Sequence, residues 1–192
     1  MRTALILAIS FCCLPLVMLP LGLQAQSKID EVLALLNEVR TQPQLFLDNR
    51  LTPYLEQNGL QENAYAKSLV EDLKTRKPAD SLKLSPALNA VAKLHAVDMG
   101  TKNKVGHNSS DGTTFDKRLR LRAKAKGAVA ENCDYGNAKP LDIVMSLLID
   151  DGIENLGHRK NILEPRLRFV GIAIEPHKKY GMNCVMDFAE GF

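Results

Sequence analysis

The sequence predicts an α+β domain with its helices packed on a small antiparallel sheet. Helical apolar spacing fills the first two thirds of the 192 residues, and two-residue alternation fills the last third. The two patterns follow one another instead of interleaving, which separates this class from a parallel βαβ arrangement. Ile29, Val32, Leu33, Leu36 and Val39 make the first helical stripe, opened by the capping pair Ser27 and Asp30 and limited by Pro43. Ala66, Leu69, Val70 and Leu73 make a weaker one between Gly59 and Pro78. The clearest runs from Ser85-Pro86, a cap followed by a first-turn proline, through Leu88, Val91, Ala92, His95 and Met99, with Gly100 closing it. Between Gly106 and Gly127 a loop leads to a short helix that Thr113 or Thr114 can cap, and Leu141, Val144, Met145 and Leu148 form the inward face of a helix over 140–149. Then the period changes. Val170, Ile172 and Ile174 alternate with Phe169, Gly171 and Ala173, and Cys184, Met186 and Phe188 do the same after a turn at 176–181.

Arg2, an apolar run over 3–23 and the small residue Ala25 describe a secretory signal peptide, residues 1–25, ahead of one domain at 26–192. Pro15 and Pro20 interrupt that run and disfavour a stable membrane span. The predicted location is therefore secreted or periplasmic. Losing Arg2 lowers the formal net charge from +3 to +2, which gives no reason to expect a polyanionic partner. The basic stretch 117–126, KRLRLRAKAK, has no aromatic side chain for base stacking and reads as the solvated face of a short helix, so nucleic acid is not expected. Cys12 and Cys13 leave with the leader. Cys133 and Cys184 remain and, in an oxidising compartment, are expected to form a disulfide worth about 4 kcal/mol in the chain-entropy picture.

Four polar groups stand just beyond apolar or glycine-rich segments: His107, Glu131, Glu154 and His158. Two imidazoles and two carboxylates can bind a divalent cation, carry out acid-base chemistry or hydrogen-bond one another. His95 lies on an apolar stripe and reads as a core histidine, and His177, beside Pro176 and two lysines, as exposed.

The segments LLNEVRTQP, LSPALNAVAKLHAVDM, GHNSSDGTTFDKRL, AEN and GHRKNILEPRLRFVGIAI, in this order, resemble the CAP superfamily of cysteine-rich secretory, antigen 5 and pathogenesis-related 1 proteins, in its bacterial secreted branch. The resemblance implies a three-layer α-β-α sandwich, a secreted monomer and a central cleft. In that cleft His107 and His158 would hold a divalent metal such as zinc beside Glu131. The family's second glutamate lies further before the second histidine than Glu154 does, so either Glu154 or Asp150 fills that role, or neither does. The usual tryptophan on the preceding helix is missing.

Function then divides three ways. A binding module would take a divalent cation, a small lipid or a surface partner. A hydrolase would need a nucleophile near one histidine, and Ser109, Ser110 or a reduced Cys133 are the candidates. A structural envelope or matrix module would use the cluster only to hold the fold. HExxH and GxSxG are both absent from the sequence, which favours binding. Asp111, Asp116, Asn132 and Asn161 are expected to tie the cleft loops together, and Arg159 to anchor a carboxylate.

Overall fold

The structure, a computed structural model, describes residues 21–192. The first twenty residues of the expected leader lie outside the described residues, and positions 21–25 form the start of α1 (Leu21–Thr41). Among the described residues no helix is long and apolar enough to cross a membrane.

A four-stranded sheet in the order β1-β3-β4-β2 forms the central layer. The strands β2 (Lys126–Tyr135), β3 (Phe169–His177) and β4 (Gly181–Gly191) are antiparallel, as the alternation predicts. The sheet as a whole is mixed, because β1 (Lys83–Leu84) runs parallel to β3. Two residues are too few to leave a periodicity in the sequence. Beyond β1 no strand among the described residues pairs with that flank of β3, and the Asn89 side chain accepts from Ile172 N–H there at 2.8 Å.

The pleat sends alternate side chains to two helical layers. Ala130, Val170, Ile172, Cys184, Met186 and Phe188 join a core with α1, α4 (Ala64–Thr75), α7 (Pro140–Ile149) and α8 (Gly157–Leu163). Val129, Cys133, Ala173, Val185 and Ala189 face α5 (Pro86–Lys102) and α6 (Phe115–Arg122). This is the α-β-α sandwich that the resemblance implies.

The same pleat overturns the expected disulfide. Cys133 stands opposite Val185, whereas Cys184 stands opposite Asp134, one position along. A one-residue offset in a strand reverses the face, so the two side chains point into different layers. Both cysteines are free and buried.

Two local readings also change. Gly100 does not end α5, which continues to Asn103 in the left-handed conformation (φ 56°). Gly100 is instead where Pro176 O crosses the helix so closely that a Cβ would overlap it. His177 is buried at 3% exposure, not exposed. Its Nδ1 accepts from Lys179 N–H (3.1 Å) and Tyr180 N–H (3.3 Å), so the other ring nitrogen donates to Lys104 O at 2.8 Å. Pro43 limits α1, which ends at Thr41, as the sequence predicts, and it also begins the next helix as the first residue of α2 (Pro43–Phe46). A π turn (Leu47–Leu51) and α3 (Thr52–Asn58) follow. The buried Leu47, Leu51 and Leu55 keep an i, i+4, i+8 spacing through the wide turn, with Phe46 buried beside them.

Candidate functional site

β2 is an edge strand, and the site is assembled across its free edge from both helical layers. On one side, Glu131 projects from β2 toward α5 and α6 and is 3% exposed. Its Oε1 bonds His107 Nδ1 at 2.9 Å, and its Oε2 accepts from the Arg118 guanidinium on α6. Arg118 also donates to His107 O (2.8 Å), Ser109 Oγ (3.1 Å) and Thr113 O (3.1 Å), so one buried cation fixes the loop that carries the histidine.

On the other side, α7 ends on Asp150, left-handed (φ 60°) and 2% exposed. Its Oδ1 bonds His158 Nδ1 at 2.7 Å, and its Oδ2 accepts from the backbone N–H groups of His158 (2.9 Å) and Arg159 (3.2 Å). Asp150 thereby caps the start of α8 and aims its histidine in a single arrangement. Asn132, the next residue of β2 and on the opposite face from Glu131, donates to His158 O (3.0 Å) and accepts from Asn161 (2.9 Å).

The outcome is two imidazoles with ring centroids 6.4 Å apart. Each has its Nδ1 held by a buried carboxylate, and neither Nε2 has a hydrogen-bond partner among the described residues. Carboxylate-oriented histidines are the usual outer support of a metal site. A tetrahedral ion with Zn–N bonds of about 2.0–2.1 Å would bring such rings to centroid distances of roughly 5 Å. The two halves therefore need to close by about 1 Å.

Beneath His107 lies a buried polar floor. His95 on α5 is 1% exposed; its Nε2 bonds Gly106 O at 2.9 Å and sits 3.8 Å from Glu131 Oε1. Burial lowers the His95 pKa, so the ring is held neutral. Asp187 faces Glu131 across the β2–β4 ladder, fully buried, with no hydrogen-bond partner for either oxygen. Burial and the neighbouring Glu131 push its pKa well above the ordinary 3.8, whereas the bonds from His107 and the charge of Arg118 keep Glu131 below its usual range despite desolvation. In effect Glu131 is the carboxylate of the pair and Asp187 the acid.

That division sets a pH dependence. A carboxyl whose native pKa is raised keeps a proton that the unfolded chain has released, so stability falls as pH rises above about 4, by about 1.4 kcal/mol per pH unit until the native group itself ionises. Asp187→Asn mimics the protonated acid. We expect urea unfolding at several pH values to show the variant gaining on the parent protein as pH rises, and no gain at pH 8 would refute the assignment.

His107, Glu131 and His158 are thus brought together as predicted, and Glu154 is not. It sits exposed in the turn after α7, on a shallow hollow with Ala64, Tyr65, Ser68 and Leu156. The carboxylate that bonds His158 is the left-handed Asp150. Arg159 meets the Asp150 carboxylate only through its backbone N–H; its guanidinium donates instead to Leu148 O, Ile149 O, Tyr65 O and Ser68 Oγ at 2.7–3.0 Å. Asn132 and Asn161 tie the cleft as expected, but Asp111 only caps Thr113 and Asp116 pairs with Arg120 on the surface. Arg118 was concealed in the basic stretch. Its spacing from Phe115 and its position beside Leu119 put it on the inward stripe of α6, a readable signal.

Beside His158 opens a cavity of about 370 Å3 lined by Tyr54, Cys133, Asp134, Tyr135, Ser146 and Asp150, among others. Burial raises the pKa of the Asp134 carboxyl.

Residues 33–188 match the CAP family, described as the cysteine-rich secretory protein family. The chain is 30% identical over 114 residues to YkwD, an uncharacterized protein of Bacillus subtilis (strain 168), a match over 57% of this chain and 42% of that protein. It therefore spans less than half the length of that curated relative. Among solved structures it is similar to an outer surface protein of Borrelia burgdorferi, with TM-score 0.58 and 13% identity over 88% of this chain and 96% of the other. It is also similar to a cysteine-rich secretory protein of Staphylococcus aureus subsp. aureus Mu50, with TM-score 0.54 and 14% identity over 89% and 40%. At these identities the structural matches speak for the fold.

Proposed function

Because the chain belongs to the cysteine-rich secretory protein (CAP) family, we propose that it is an exported binding module whose His107–His158 cleft takes a divalent cation such as zinc. One observation carries the reading: two imidazoles from opposite layers meet at 6.4 Å, each tied through Nδ1 to a buried carboxylate, leaving Nε2 as the available donor. Such an ion would supply a fixed positive charge and open coordination positions for a ligand from solution. Glu131 and Asp150 would set ring orientation without ligating, and Arg118 and Arg159 would hold the two loops.

A small lipid has less support, since Asp134, Asp150 and Asp151 interrupt the wall of the adjoining cavity. Hydrolysis has less again. Ser109 Oγ accepts from Arg118 and Ser110 Oγ bonds Asp98, so neither hydroxyl bonds an imidazole. Cys133 is reduced and 3.8 Å from His107 Nδ1, but burial and the charge of Glu131 push its thiol well above the usual range and disfavour the thiolate.

The test is thermal unfolding with Zn²⁺. At a concentration of one hundred times Kd the ion stabilises by about 2.7 kcal/mol, a shift of roughly 5–10 °C for a domain of this size. We expect the shift to disappear in the His107→Ala, His158→Ala double variant. An unaltered protein whose melting temperature ignores the metal would end the reading.

A further inference from the structure

Under the outer histidine pair, four donor atoms from three separate segments converge. We propose that His95, His107, Glu131 and Cys133 form an inner site for a thiophilic divalent cation such as zinc, distinct from the outer cleft and sharing only His107 with it.

The geometry argues for it first. Cys133 Sγ lies 3.7 Å from Glu131 Oε1 and 3.8 Å from His107 Nδ1, and His95 Nε2 lies 3.8 Å from Glu131 Oε1. The donors of His95, Glu131 and Cys133 all fall within 4.8 Å of one another. A tetrahedral zinc with bonds of about 2.0–2.3 Å has ligand-to-ligand edges of about 3.3–3.8 Å. The fourth distance, His107 Nδ1 to Glu131 Oε1, is a hydrogen bond of 2.9 Å and opens slightly when the ion replaces the shared proton. Glu131 and Cys133 are two apart on β2, so the pleat sends both to the same face; α5 brings His95 from above and the loop before α6 brings His107 from the side.

Charge argues for it second. A thiolate and a carboxylate match the two charges of the ion and the imidazoles ligate as neutral groups, while Arg118, which also pairs with Glu131, adds one positive charge that Asp187 faces. The floor around these ligands is polar and is not closed by bonds among its own residues. His95 Nδ1 and both oxygens of Asp187, each residue at most 1% exposed, have no hydrogen-bond partner. Protons balance as follows. Cys133 S–H and His107 Nδ1–H release theirs to solvent or, for the imidazole, to its own Nε2. The His95 proton passes from Nε2, which gives up Gly106 O, to the unpartnered Nδ1. Cys133 also lines the cavity beside His158, which gives an ion its way in.

Cobalt(II) separates the two sites, because only the inner one contains sulfur. Titrating the reduced full chain, with Cys12 and Cys13 of the leader replaced by serine, with Co²⁺ should produce tetrahedral visible bands together with a near-ultraviolet sulfur-to-cobalt charge-transfer band. The charge-transfer band should vanish in Cys133→Ser and persist in His158→Ala. His95→Asn, a second variant in case Cys133→Ser folds poorly, should weaken Co²⁺ binding by at least about tenfold. Cobalt bound without the sulfur band, a band that survives Cys133→Ser, or an absence of binding overturns the inner site. Binding that lacks the sulfur band and disappears with His158→Ala leaves the outer cleft standing while removing the inner one. A sulfur band unaffected by His158→Ala, with no other cobalt bound, does the reverse.

Discussion

Replacing Glu131 with glutamine is expected to destabilise the fold by about 3 kcal/mol or more, measured by urea unfolding at pH 7. Glutamine keeps the shape and can still accept one hydrogen bond, but it removes the counter-charge of Arg118, which is 4% exposed and has no other carboxylate in hydrogen-bonding contact. The remaining Arg118 partners are two carbonyls and a hydroxyl, which solvate a guanidinium without neutralising it. A buried pair contributes modestly when intact, whereas breaking it exposes the whole desolvation cost of the survivor. Asp187 then becomes the reserve. Its pKa is raised by burial first and by Glu131 second, with Arg118 pulling the other way. Without Glu131, Asp187 ionises more readily and partly replaces the lost charge. The Glu131→Gln, Asp187→Asn double variant, which has neither carboxylate, should therefore lose more than the sum of the single changes, although Asp187→Asn alone is stabilising at neutral pH. An additive result would show that Asp187 does not share in neutralising Arg118.

The degree to which this site could be read from the sequence follows from what periodicity encodes. His107, Glu131 and His158 were legible because they flank periodic elements and carry the family resemblance, and the alternation in β3 and β4 placed two of the three long strands. Asp150 was harder. A helix-ending aspartate ordinarily reads as a solvent cap, and only its left-handed backbone (φ 60°) folds the carboxylate back onto His158. Cys133 and Cys184 were misread for a different reason: composition and compartment say that two cysteines can pair, but register decides whether they share a face. Arg40 was invisible to any such argument. It is 1% exposed and spends its guanidinium on the carbonyls of Asp80, Ile162, Glu164 and Leu167, a cage made by chain segments more than a hundred residues away as well as nearby ones. Caged arginines leave no spacing pattern, because the partners are backbone atoms common to every residue.

The second large effect concerns the layer that holds His95 over the sheet. Gly171→Ala is expected to cost about 3 kcal/mol or more, at or beyond the upper end for overpacked interiors. In β3, Gly171 lies beside Asp187 in the ladder, and its missing side chain faces α5. A Cβ there would overlap Leu88 C and Asn89 N and stand 2.5 Å from Leu88 Cβ. Those first two atoms are helix backbone, so no rotamer change relieves the clash; α5 must lift from the sheet as a unit. The Ile172 N–H to Asn89 bond at 2.8 Å ties the same helix turn to the same strand and opposes that movement. Since α5 also carries His95, the displacement should reach the floor of the cleft. We therefore expect the variant to unfold at a lower urea concentration and, where it still folds, to bind Co²⁺ without the sulfur band or not at all. A Gly171→Ala protein of unchanged stability would mean that α5 does not rest on β3 as closely as Leu88 and Asn89 require, and the support beneath His95 would have to be sought elsewhere.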